Sequence, residues 1–151
     1  MHPYRVDTQL VYAHGIAALV TLLIAMTFGI VISLQFFLPD LLGDWLPSGW
    51  GRMRYAHTQG SMLGWLGNAF LAFLYHAVPI LTGKSVTSRQ LGIWLFGIWN
   101  FAGMLPGWIL VLAGVSQPLE WAEFPLIVDA FVVVGFLLAA VQFLPPFFRR
   151  G

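Results

Sequence analysis

Gly51-Arg52-Met53-Arg54-Tyr55-Ala56-His57-Thr58-Gln59-Gly60-Ser61-Met62-Leu63-Gly64-Trp65-Leu66-Gly67-Asn68 decides how the chain is read. Two arginines stand just before a long apolar run, and a histidine sits one turn inside it. At about 100° per residue, Ser61, Gly64 and Asn68 fall within a narrow arc around His57, with Gly60 and Gly67 on one flank. Arg54, three residues before His57, lies near the same face at the water boundary.

A face with one imidazole and almost no side-chain bulk admits two readings. It can take a haem, which asks for an axial nitrogen, room for the ring edge and cationic partners for its propionates. It can equally serve close helix packing, because small residues four apart are a common membrane interface. In that case His57 is an interfacial histidine bonded to a backbone carbonyl.

Outward from this stretch the chain is apolar. Of its 151 residues 59% are hydrophobic and 9% charged, against about a quarter charged in soluble domains, so it is an integral membrane protein. The formal net charge of +1 and the absence of a basic patch argue against nucleic acid as a partner. There is no cysteine. That excludes disulfides, iron–sulfur ligation and a covalently attached c-type haem.

The charge-free run between Asp7 and Asp40 predicts a first span at about 10–38, too long for a signal peptide. Residues 40–54 read as a loop with a short surface helix, its Trp45 and Trp50 suited to a membrane–water interface. Further spans are predicted at about 55–81, 90–114 and 125–146, the third kinked by Pro106 and Gly107. Each run meets the ~20 residues needed to cross a bilayer. The expected fold is all-α: one domain over 1–151, of four antiparallel transmembrane helices.

Arg5, Lys84, Arg89, Arg149 and Arg150 fall on one side of that topology, Arg52 and Arg54 on the other. The positive-inside rule then puts both termini in the cytoplasm, for a multi-pass protein of a bacterial inner membrane. Asp40, Asp44, Glu120 and Glu123 lie on the outer side with His57. Glu120 and Glu123 suit a hard cation such as calcium, a pairing with the arginines, or plain solvation. Asp129, inside span four, is a costly intramembrane acid or a shallow one reaching water. Asn100 and Gln142 are expected to hydrogen-bond between helices.

Other iron ligands are scarce. His14 and His76 are expected near the inner interface, bonded to backbone or headgroups or, less simply, clamping a second haem. Nineteen helical residues separate His57 from His76, roughly 28 Å, so the two cannot share a cofactor. His2 falls on the inner side, and Met104 is the local thioether.

Three segments together resemble subunit I of the haem-copper oxidases, especially the cbb-type cytochrome c oxidases and the nitric oxide reductases. They are Phe37-Leu38-Pro39-Asp40, the element from Gly51 to Thr58 with its glycine-rich continuation, and Leu119-Glu120-Trp121-Ala122-Glu123-Phe124-Pro125 with Asp129. The resemblance implies that His57 is one axial ligand of a low-spin haem b. It implies that Arg54 meets the propionates and that Glu120 and Glu123 lie near a calcium.

Members of that family have twelve or more helices, whereas this sequence holds four. The second low-spin ligand, the high-spin haem ligand, the histidines of the copper or non-haem iron and the cross-linked tyrosine belong to later helices. By that resemblance the chain is not catalytic alone. One reading is a split subunit I in a respiratory complex, fed by cytochrome c or another donor, with other membrane subunits supplying the missing helices. The alternatives are a small stand-alone b-type cytochrome relaying electrons, and a structural subunit without cofactor.

Overall fold

The computed structural model describes residues 4–43, 45, 47 and 49–149. Asp44, which the sequence places on the outer side, and His2 and Arg150, which it places on the inner side, lie outside the described residues. Four helices are long and apolar enough to cross a membrane. They are α1 (Thr8–Leu34), α2 (Trp50–Thr82), α3 (Arg89–Leu112) and α4 (Leu126–Phe143), the last followed by the short helix α5 (Pro145–Phe148). All the regular structure among the described residues is helical.

Local chemistry sets the ends. Asp7 caps α1 by accepting from the Leu10 N–H at 3.2 Å, and Ser88 caps α3 by accepting from Leu91 at 3.4 Å. Gly83 closes α2 in the left-handed region, at φ +65°, where lack of a Cβ removes the strain. An Asp7–Arg89 ion pair at 3.3 Å joins the starts of α1 and α3. The Arg5 N–H donates to Ser85 at 2.9 Å, and the Lys84 ammonium donates to the Arg149 carbonyl. The N-terminal segment, the α2–α3 link and the C-terminal segment therefore share one end of the bundle.

Two helices widen midway. Gly60–Gly67 in α2 and Ile98–Met104 in α3 are π-helical, bonded five residues apart instead of four. In α3 the wide turns end at Met104, two residues before Pro106, which lacks an N–H and crowds the preceding turn. In α2 the wide turns coincide with the glycines. The helix also begins at Trp50, so residues 50–54 extend span two inward from the expected surface loop.

Two apolar cores result. One, toward the terminal end, is built from Leu10, Leu71, Tyr75, Val78, Leu95, Trp99 and Phe143. The other, toward the α1–α2 and α3–α4 links, holds Ala25, Ala56, Met104, Trp108, Val111, Phe124 and Val128. Outward faces are apolar: Tyr12, Leu23, Phe73, Phe101 and Leu137 are all exposed, as in a chain whose solvent is lipid.

Candidate haem-ligand site

His57 lies two turns into α2 and is half-buried against α1. Its Nδ1 is 2.8 Å from the carbonyl oxygen of Ala25. A carbonyl only accepts, so Nδ1 carries the proton and Nε2 keeps its lone pair. Among the described residues Nε2 has no hydrogen-bond partner, and it is not among the buried orphan atoms, so it faces outward. A metal-bound histidine shows the same arrangement, one ring nitrogen held by a carbonyl and the other free.

Arg54 stands one turn before His57 on the same helix. Its guanidinium lies over two aromatic rings, 4.7 Å from the centroid of Tyr55 and 5.9 Å from that of Trp50. No carboxylate among the described residues comes within ion-pair distance of it. Arg52 points elsewhere: its guanidinium lies against Gly114, where a Cβ would come within 2.8 Å of Nη2. Ser61 is half-buried.

The glycine face is already filled. A Cβ at Gly60 would lie 2.5 Å from Trp108 Cζ2 and 2.9 Å from Ala25 Cβ. One at Gly64 would lie 2.9 Å from Thr21 Cβ, and one at Gly67 2.6 Å from Trp99 Cζ2. The indole N–H groups of these tryptophans donate to α2 carbonyls, Trp108 to Ala56 at 2.8 Å and Trp99 to Leu63 at 3.0 Å. Close packing of α1 and α3 on α2 accounts for Gly60, Gly64 and Gly67.

Asn68 is placed apart from His57. Its Oδ1 is 2.8 Å from Nδ1 of His14, and its Nδ2 donates to the carbonyl of Gly64 and to Asn100 Oδ1, each at 2.8 Å. Asn100 Nδ2 returns a bond to Asn68 Oδ1 at 3.1 Å. His14 is wholly buried between Tyr75 and Phe96, with Nε2 unpartnered. The expectation of an interfacial His14 is thereby corrected: it is a core residue on the side facing α2 and α3. His76, which the second-haem idea paired with it, is exposed.

The remaining candidates divide between core and surface. Met104 is buried in the second core, as packing. Glu123 is buried and accepts a hydrogen bond from Gln59 Nε2, whereas Glu120 is exposed. Asp129, half-buried, accepts from Gln117 Nε2 at 2.6 Å. Gln142 ties α3 to α4 by accepting from the Ser88 N–H at 3.1 Å and donating to its carbonyl at 2.8 Å. Among the described residues no three His, Cys, Asp or Glu side chains gather into a metal cluster.

Sequence reasoning passed over Gly29, Gln59, Trp99 and Trp108. Tryptophans spaced nine apart on a helix facing a glycine-rich one were the available signal for the last two.

Residues 9–150 match the family model described as cytochrome c and quinol oxidase polypeptide I. That match spans nearly the whole chain, and it agrees with an apolar helical bundle. The chain belongs to the cytochrome c and quinol oxidase polypeptide I family, subunit I of the haem-copper oxidases.

Proposed function

We propose that this chain is a membrane subunit of a respiratory electron-transfer complex and holds one side of a low-spin haem b. The carrying observation is His57, with Nδ1 on the Ala25 carbonyl and Nε2 unpaired among the described residues. A bound haem b would supply one-electron transfer; the chain's own residues hold and tune it. His57 donates Nε2 to the iron. Arg54, set over the rings of Tyr55 and Trp50, meets a propionate, and Arg52 adds positive charge at the same end. Ser61 borders the site. Two strong axial donors are needed for a low-spin centre, so the second comes from a membrane segment outside these 151 residues. A cbb-type oxidase or a nitric oxide reductase is the parent complex this reading favours, with cytochrome c or another donor feeding it.

Calcium belongs to the same reading. Glu123 is buried with one hydrogen bond accepted, and a carboxylate has acceptor capacity to spare, which suits a hard cation. Glu120, exposed on the same link, is the second oxygen donor. Of the six described basic residues, Arg5, Lys84, Arg89 and Arg149 lie at the terminal end of the bundle, so both termini are assigned to the cytoplasmic side of a bacterial inner membrane.

The filled glycine face favours a second reading, a structural subunit without cofactor, because it gives Gly60, Gly64 and Gly67 a use that needs no haem. A reduced-minus-oxidised spectrum separates the two. The chain co-purified with its membrane partners should show b-type haem, and His57→Ala should abolish it. Expressed alone in a haem-replete host, the monomer should lack a six-coordinate bis-histidine spectrum. An unchanged haem content in His57→Ala removes the ligand assignment, and a stable bis-histidine monomer removes the need for a partner.

A further inference from the structure

His57 reaches the backbone of α1 through a gap in that helix. A helical side chain leans back toward the N-terminus and lies over the turn before its own Cα. A side chain at position 29 therefore shields the carbonyl of residue 25, the acceptor of Nδ1. Gly29 has none. A Cβ there would lie 2.8 Å from Cε1 of His57, 2.9 Å from Nδ1 and 3.5 Å from Nε2. Those atoms belong to a rigid ring rooted on α2 beside the fully buried Ala56, so they cannot give way without leaving the carbonyl. The other glycine of α1, Gly15, has nothing within 4 Å of such a Cβ. The three atoms nearest that empty space at position 29 all belong to the imidazole.

We propose that Gly29 and the Ala25 carbonyl form the positioning site for His57. They hold the ring as the Nδ1–H tautomer, leave Nε2 bare and fix the angle of the imidazole plane. This rests on the reading of His57 as an axial ligand. The hydrogen bond to the carbonyl makes the imidazole a stronger donor, which favours oxidised iron. A methyl group at position 29 pushes the ring off the carbonyl, weakens that donation and rotates the plane.

The test uses Gly29→Ala in the assembled complex, with Gly15→Ala as control. Haem should remain, while the ferric low-spin g-values move and the midpoint potential rises; Gly15→Ala should leave both at the wild-type values. A purely structural role for Gly29 would lower stability without moving either quantity, so retained haem with unchanged g-values and potential overturns the proposal. A second measurement needs no variant at position 29. In the haem-free full chain labelled with 15N-histidine, His57, assigned by its loss in His57→Gln, should be the Nδ1–H tautomer. An Nε2–H tautomer overturns the proposal. Haem retained by His57→Ala would instead bring down the ligand reading beneath it, so the two failures are distinguishable.

Discussion

Asn68 and Asn100 hydrogen-bond to each other in both directions, Nδ2 to Oδ1 at 2.8 Å one way and 3.1 Å the other. The pair joins α2 to α3 at mid-bundle, and His14 of α1 adds a third member through Asn68. Each donor and acceptor of Asn68 is used, so deleting its side chain strands several groups at once. Asn68→Leu should cost about 2 kcal/mol, more than a typical interhelical bond, because a buried group left unpaired carries its desolvation cost. The double variant with Asn100→Leu should cost less than the two singles together, since both amides then disappear. Reversible unfolding in mixed micelles measures both, and strictly additive costs would count against the coupling.

The glycines of α2 and α1 should respond oppositely to alanine. At Gly60 a Cβ would overlap Trp108 and Ala25, so Gly60→Ala should destabilise by about 1–3 kcal/mol. At Gly15 the space is open, and Gly15→Ala should be neutral or stabilising by up to about 1 kcal/mol through helix propensity. Thermal unfolding of the two variants side by side checks the sign.

Trp108→Phe tests the indole separately from the ring. It keeps an aromatic ring beside Phe28, gives up the indole edge that lies against Gly60 and removes the donor to the Ala56 carbonyl. A loss of about 1 kcal/mol is expected. A far larger loss would mean that the shape of the indole, and not its N–H, holds α3 on α2.

Arg54→Leu should lower the midpoint potential of the proposed haem, because a nearby positive charge stabilises the added electron. Among the described residues the guanidinium has aromatic rings rather than a carboxylate beside it, which leaves its charge to act on the haem. Potentiometric titration of the haem band reads the shift. A rise, or no change with haem retained, excludes the propionate contact.

Calcium is tested at Glu123. Glu123→Gln keeps shape and removes charge, so bound calcium per complex should fall while Glu120→Gln, on the exposed side of the link, should lower it less. Elemental analysis after chelator washing gives the number. Equal calcium in wild type and Glu123→Gln would leave that carboxylate as a partner for Gln59 alone.

The spans were legible because lipid demands long apolar runs, and Asp7, Gly83 and Ser88 mark ends chemically; the first stops at Leu34, short of the end expected at Pro39. The neighbours of His57 were less so. An arc drawn at 100° per residue assumes a regular α-helix, and α2 leaves that geometry at Gly60. Asn68 consequently belongs with His14 instead of His57. The depth of His14 along α1 suggests an interfacial residue, but depth says nothing about the side it faces. Gly29 carried no signal at all, since its use depends on a ring brought from another helix.

The π-helical stretch Gly60–Gly67 has a further consequence for α2 as a whole: it works as a phase shifter. The half before it and the half after it are aimed independently, one carrying His57 and Arg54, the other Leu71, Tyr75 and Val78. Deleting one residue within the stretch would restore α-helical winding and swing one half about 100° against the other. Either the histidine would leave the Ala25 carbonyl or Tyr75 would leave its core, which makes this short segment a place where chain length, and not only residue type, is fixed by the fold.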